Sequence, residues 1–245
     1  MWNTLEMRSR KILLNYAEGR FLNSQKLNTE SGLKNGFNVA YQMAKNNIDK
    51  NFFDNNKAIL EVAKGAGYWL WKPYFLNLLV KDLNSDDILF YSDSGSIFIK
   101  HLNPLFKKLH EDSRGVLVFE LAGKHKEENY TRKEVFEYFN EKEVNITSKP
   151  QRMASFIGVR GTHYAKFILN EFINASLNFE LITDPEDKPE NTLDSFISHR
   201  HDQSIWSVLT KKYGLQTTPD PTQWGLTHGE SNIEDNFINH TRNPN

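Results

Sequence analysis

Apolar and polar positions along this chain recur at two periods, and together they predict alternating strands and helices. Lys11-Ile12-Leu13-Leu14-Asn15-Tyr16 is a short apolar run that predicts a first strand, ended by the turn Ala17-Glu18-Gly19-Arg20. The spacing predicts a helix over 23–36, capped by Asn23 or Ser24 and stopped by Gly36, then a strand over 37–43. Strand, helix and strand at this separation form a crossover unit, which implies parallel pairing. The Asn-rich stretch 46–56 reads as a loop anchored by Ile48, Phe52 and Phe53, followed by a short helix over 57–64. Gly65-Ala66-Gly67 is a turn, and Pro73 suits the first turn of a helix over 72–82 whose buried face is Phe75, Leu76, Leu79 and Val80.

Ile88-Leu89-Phe90-Tyr91 is apolar enough for the centre of a sheet, and it delivers Asp93 to a turn of small residues. Residues 96–100 predict a short strand, 103–111 an amphipathic helix and 116–120 another strand. Thr131 and Glu134 stand in capping-box register for a helix ending near Phe139. A strand over 153–159 precedes a long helix marked by Tyr164, Phe167, Ile168 and Phe172 that ends near Ser176. Residues 179–182 read as a strand, 184–191 as a charged loop, and 203–213 as the last clear helix, stopped by Gly214. From 217 to 245 the chain is polar and reads as irregular, and no repeat or low-complexity linker divides it, so a single domain over 1–245 is expected.

Composition narrows the function classes. A length of 245 residues can bury a substantial core, and 17 Phe with 9 Tyr make that core aromatic. A net charge of −1 gives no overall basic field to recommend nucleic acid as a partner. Without Cys there are no disulfides, thiolate nucleophiles or thiolate metal sites, which fits a reducing compartment. The polar first ten residues do not resemble a secretory signal, and no apolar run approaches the roughly 20 residues that span a bilayer. A cytoplasmic location is expected.

Four places carry residues suited to chemistry. Asp93, at a strand end, is either a turn former or a ligand for a divalent metal or a ribose hydroxyl. In Ser198-His199-Arg200-His201-Asp202-Gln203-Ser204, Asp202 stands where a helix cap belongs. Capping alone does not account for His199, Arg200, His201 and Gln203 at the same helix entrance, which suit an acid/base pair or an anion site. His199 and His201 lack the further nearby ligands of a zinc site. His240 and Arg242, near the chain end, are either a frayed tail or a metal ligand and a phosphate fork. Tyr68, Trp69 and Trp71 read as packed core, with Lys72 at a helix start able to face a phosphate or a ribose; Gly65 and Gly67 make neither a Walker nor a Rossmann fingerprint.

Together these pieces resemble a group of bacterial and viral glycosyltransferases associated with surface or capsular polysaccharide. The resemblance is carried by Asn28-Thr29-Glu30-Ser31, by Gly-x-Gly-Tyr-Trp-x-Trp-Lys-Pro at residues 65–73, by Tyr-x-Asp-x-Gly at 91–95, and by His-Arg-His-Asp-Gln-Ser at 199–204. It runs from about Lys11 to Tyr213, with a weaker echo in His240-Thr241-Arg242.

The resemblance implies a single-domain GT-A fold, α/β and Rossmann-like, with a mixed, mainly parallel central sheet and a nucleotide-sugar donor at the strand C-termini. It implies donor contacts from Tyr16, Lys72, Asp93, Ser94, Gly95, Arg200, His201 and Arg242, with the 217–245 segment closing the donor site. Asp202-Gln203 is similar to the Asp-Gln pair of retaining galactosyltransferases of the glycogenin type, which implies a place for both at the reacting centre. The usual metal motif is Asp-x-Asp, and Gly95 stands at the second Asp position here. Either Asp93 and His240 hold Mn or Mg with the donor diphosphate, or Lys72, Arg200 or Arg242 neutralises the leaving group. The expected donor is a UDP- or GDP-sugar, and the expected acceptor a glycan or lipid-linked glycan, with peripheral membrane contact. A nucleotide- or carbohydrate-binding module without catalysis, and a nucleotidyltransferase using Asp93 to hold magnesium, are the competing classes.

Overall fold

The structure, a computed structural model, describes residues 9–141, 144–184 and 195–241. The first crossover runs β1 (Lys11–Tyr16), α1 (Leu22–Lys34) and β2 (Val39–Met43). Three short helices follow, α2 (Lys50–Asn55), α3 (Lys57–Leu60) and the left-handed turn α4 (Gly65–Tyr68), before α5 (Trp71–Val80). Then come β3 (Ile88–Ser92), β4 (Ser96–Phe98), α6 (Asn103–Glu111) and β5 (Val116–Glu120). Short helices α7 (Glu127–Tyr130), α8 (Lys133–Phe139) and α9 (Val144–Thr147) lead to β6 (Arg152–Arg160). The remainder is α10 (His163–Ser176), α11 (Phe179–Ile182), α12 (His201–Lys212), β7 (Thr217–Thr218), α13 (Gln223–Thr227) and β8 (Ile238–His240).

Six strands form the central sheet in the order β2-β1-β3-β6-β5-β7. β1 pairs parallel with β2 and β3, and β5 with β7, while β6 runs antiparallel to both β3 and β5. The C-terminal ends of five strands and the N-terminal end of β6 therefore share one edge. The side-chain period of two sends Ile12, Leu14, Leu89 and Tyr91 to one face, where α5, α10 and α12 cover them. Leu13, Ile88 and Phe90 go to the other face, against Phe98, Phe106 and Phe237. A fully buried Phe or Leu of this kind contributes roughly 1.5–3 kcal/mol, so both layers hold the edge rigid.

One irregularity in the sheet lies at that edge. Val118 pairs with Ile157, yet Glu120 pairs with Arg152, so β6 carries extra residues opposite β5. The bulge inverts the facing of the strand: Met153 and Phe156 point to one core, Ala154 and Ile157 to the other. It also frees the Ala154 amide and the Ser155 carbonyl from the β5 ladder for use elsewhere.

The expected mixed, mainly parallel α/β sheet is present as a single domain. Several elements differ. Residues 179–182 form α11 rather than a strand, because Asn178 caps the Glu180 amide and turns the apolar run into a helical one. The 46–56 loop contains α2, capped by Asp49 on the Phe52 amide. Residues 217–240 are not irregular but supply β7, α13 and β8. Most of the expected 184–191 loop lies outside the described residues.

Candidate active site

β3 ends at Ser92, and the backbone then turns at the shared strand edge. Asp93 is fixed there by its amide, which donates to the Ser155 carbonyl on the β6 bulge at 2.9 Å. Ser94 Oγ donates to the Tyr16 carbonyl at 2.6 Å, tying the turn to the end of β1. The Asn28-Thr29-Glu30-Ser31 stretch on α1 holds the same turn from the opposite face. Asn28 Nδ2 lies 3.0 Å from Ser92 Oγ and 2.8 Å from the Ser96 carbonyl, and Ser31 Oγ accepts from the Phe98 amide. This explains why α1 buries Asn28, Thr29 and Gly32 in place of an apolar stripe. β8 closes the turn by pairing with β4, which sets His240 against Ser96, and Thr241 donates to the Gly95 carbonyl. A Cβ added at Gly95 would meet nothing within 4 Å, so the turn lies beside open space.

The aromatic stretch Gly65–Trp69 has an unusual backbone. Gly65, Ala66, Gly67, Tyr68 and Trp69 all have positive φ, between 49° and 98°, a full turn of left-handed conformation. Each non-glycine in that region is strained by roughly 1–2 kcal/mol. Packing must sustain it: Leu60 backbone lies where a Gly67 Cβ would project, and the Trp71 indole donates to the Gly65 carbonyl at 3.0 Å. Tyr68 and Trp69 face the His201 ring, with centroids 4.9 and 5.4 Å away, and His201 is itself left-handed at φ 50°. Two strained segments thus lock together, and the consequence is to aim Lys72 at the N-terminus of α12.

Lys72 is 3% exposed and its ammonium sits between two carboxylates, 2.6 Å from Asp202 Oδ2 and 3.6 Å from Asp93 Oδ1. It also lies over the Tyr91 ring at 4.9 Å. Burial alone would lower its pKa, but the Asp202 and Asp93 charges outweigh that and hold it above its usual value. Asp202 is 5% exposed at its side chain. Burial pushes its carboxyl up to about 6, against the opposing pull of Lys72. Asp93 is the open member, 37% exposed, and accepts the Tyr91 hydroxyl at 2.5 Å. Lys72 therefore serves the two carboxylates from within the wall of the site.

The other residues of the helix entrance divide between two surroundings. His199 and His201 turn inward, bonding the Leu181 and Ile182 carbonyls at 2.8 Å each. Burial lowers both pKa values, so both rings are neutral near pH 7. Gln203 turns toward β6, where it meets the Ala154 amide and Gln151. Arg200 lies flat on the Tyr130 ring at 3.6 Å and bonds Gln151 and His125. Tyr16 stacks on Trp71 at 3.9 Å, buried, with its hydroxyl on Glu18. Arg242 lies outside the described residues.

For a divalent cation, the donor set is short. Asp93 Oδ1 is already shared with Tyr91 and Lys72, and His240 Nδ1 is engaged by Ser96 Oγ at 3.1 Å. No group of three or more His, Asp or Glu side chains converges among the described residues. Two such donors fit Mg²⁺ or Mn²⁺ drawing its remaining ligands from phosphate and water, and do not fit an ion held by protein alone.

Gln151, Tyr130 and His125 were not legible as site residues. Each sits in a polar stretch between predicted elements, and long-range backbone bonds, Gln151 to the His125 carbonyl and Arg200 to the Tyr130 carbonyl, bring them together. A polar residue placed directly after Pro150, at the mouth of an apolar strand, is the one local sign for Gln151.

No family model and no curated protein matches the chain. Solved structures do match. Mouse xyloside xylosyltransferase 1 aligns at a TM-score of 0.52 and 9% identity, over 96% of this chain and 98% of that one. The WbbM bifunctional glycosyltransferase aligns at 0.53 and 10% identity, over 99% of this chain and 47% of that one. The glycosyltransferase GlyE of Streptococcus pneumoniae TIGR4 aligns at 0.44 and 13% identity, over 96% of this chain and 55% of that one. The chain spans about half the length of WbbM and GlyE. At these identities the likeness is one of fold, the GT-A type of α/β sheet, with the Asp93 edge as its C-terminal edge. No helix among the described residues is long and apolar enough to cross a membrane.

Proposed function

We propose that this protein is a glycosyltransferase that moves a sugar from a nucleotide-diphosphate sugar to a glycan or lipid-linked glycan. The observation that carries it is the buried Lys72 ammonium holding Asp93 and Asp202 together at the open strand edge. The arrangement gives one exposed carboxylate for the donor and one desolvated carboxylate for the reacting carbon, joined by one cation.

Glycosyl transfer develops positive charge on the sugar and negative charge on the departing diphosphate. Asp202, ionised above about pH 6, is the anion that meets the first, as an electrostatic partner or as the base for the acceptor hydroxyl. Gln203 contacts the transferred sugar. Lys72 is committed to the two carboxylates, so the diphosphate needs another cation. Asp93 and His240 would hold a Mg or Mn ion, which would supply that charge compensation. Ser94 and Gly95 line the approach of the diphosphate, and the segment over 217–241 covers it. UDP or GDP as carrier and a role in surface polysaccharide are parts of the same proposal, drawn from the motif resemblance, and a cytoplasmic location is another, drawn from the composition.

A thermal-stability scan with UDP- and GDP-sugars, with and without manganese, tests the binding half. Stabilisation by one carrier that exceeds that by its free sugar, and that weakens on chelation, is the expected result. Stabilisation by nucleoside triphosphates in preference to nucleotide-sugars would favour a nucleotidyltransferase instead.

A further inference from the structure

Asp202 faces Lys72, whereas its neighbour Gln203 faces a different and larger polar network. We propose that Gln151 is a positioning residue for the transfer reaction: it fixes which end of the Gln203 amide meets the sugar and holds the Arg200 guanidinium beside it. The inference rests on the glycosyltransferase reading above.

Gln151 is fully buried at the entrance to β6. Its Oε1 accepts from Gln203 Nε2 at 3.1 Å and from Arg200 Nη1 at 3.2 Å. Its Nε2 lies 2.9 Å from Thr131 Oγ1, 3.1 Å from Glu127 Oε2 and 3.2 Å from Ser204 Oγ. The amide cannot be reversed. A flipped Gln151 would press its oxygen against the Glu127 carboxylate and its NH₂ against a guanidinium and a second amide.

Glu127 is fixed in its turn. It is fully buried, bonds Thr131 Oγ1 at 2.6 Å and Ser207, and pairs with Lys211 at 2.9 Å. A charge pair on α7 and α12 therefore sets Gln151, and Gln151 sets Gln203. The Gln203 oxygen is turned to the Ala154 amide of the bulge at 3.5 Å. One Gln203 N–H is spent on Gln151, and the second remains to donate to a sugar hydroxyl or ring oxygen. Without Gln151 only the long 3.5 Å contact with the Ala154 amide is left to favour the Gln203 orientation that presents that donor.

A purely structural Gln151 would act through its Nε2, stitching α7 to α12. A positioning Gln151 acts through Oε1. Two variants separate these roles. Gln151→Glu keeps the acceptor for Gln203 and Arg200 but loses the donor and repels Glu127. Gln151→Met keeps the volume and loses both. The expected order of kcat is wild type, then Glu, then Met, with Met down about 10-fold, the worth of one hydrogen bond, and donor KM within about 3-fold. The expected order of melting temperature is the reverse for the two variants, Met above Glu. If kcat follows melting temperature, Gln151 is structural and the proposal is overturned.

If Gln151→Glu does not fold, Gln151→Met in a Gln203→Ala background decides. No further loss supports positioning through Gln203, and multiplied losses overturn it. Should the wild type turn over no nucleotide-sugar, the glycosyltransferase reading fails by itself. The Gln203 side-chain amide signals in a ¹H–¹⁵N spectrum, assigned through Gln203→Ala, then test the geometry alone. A shift in the Met variant supports the orientation chain, and unchanged signals refute it.

Discussion

Lys72 brings a full positive charge to a place only 3% exposed, which is tolerated because two carboxylates meet it there. Removing one partner of a buried pair leaves the others without compensation and costs on the order of 3–5 kcal/mol. Lys72→Met should therefore lower the unfolding free energy, measured by chemical denaturation, by an amount in that range. It should also act on the pH profile. In the proposed reaction Asp202 acts as the charged form, its carboxyl is pushed up to about 6, and turnover should fall as pH drops through that value. Without Lys72 only the Gln203 backbone amide opposes burial and the Asp93 charge, so the acid limb should move to higher pH. A limb that stayed in place would separate Asp202 from Lys72. The sequence made Lys72 visible only as a helix-start lysine available to phosphate. Its commitment to Asp202 depends on two segments 130 residues apart in the chain meeting, which no local pattern records.

At the scale of elements, the left-handed turn α4 is what aims Lys72. Gly65 and Gly67 announced a turn, but Ala66, Tyr68 and Trp69 carry no local preference for positive φ. That conformation is imposed by tertiary packing against Leu60 and His201, so its handedness was beyond sequence reasoning. Gly67→Ala would place a Cβ 2.7 Å from Leu60 Cα at φ 98°. The expected loss is about 1–3 kcal/mol in stability, measured by chemical denaturation, with a fall in turnover larger than the unfolded fraction explains. An unchanged midpoint would mean the turn can relax without cost. Other elements were legible because their determinants are local: β1, α5, β3, α6 and α10 announce themselves by apolar period and caps. The 179–182 run is the counter-case, four apolar-rich residues too short for period to separate strand from helix.

For the whole molecule, the least legible part was the return of the chain after β7. β8 is three residues long and gains its identity by pairing with β4, across some 140 residues of sequence. That pairing carries His240 and Thr241 to the Asp93–Gly95 turn and supports a role for the segment as a cover to the donor. Deleting residues 239–245 should spare the two buried layers and change the melting temperature little. Donor affinity should weaken by about 10-fold or more, the worth of several lost polar contacts, and any manganese dependence should diminish with it. Equal affinity in the shortened chain would leave the segment a structural strap. The strand edge itself was readable in advance, since an apolar strand ending in a small-residue Asp turn places a carboxylate at the mouth of an α/β sheet.

The most direct measurement compares wild type with Asp202→Asn for release of nucleoside diphosphate from the stabilising nucleotide-sugar, alongside calorimetric binding of the same donor. The account predicts that Asp202→Asn loses turnover by about 10²–10⁴-fold while donor affinity stays within a few-fold. Equal turnover in the two proteins would contradict the assignment of Asp202 to the reacting centre.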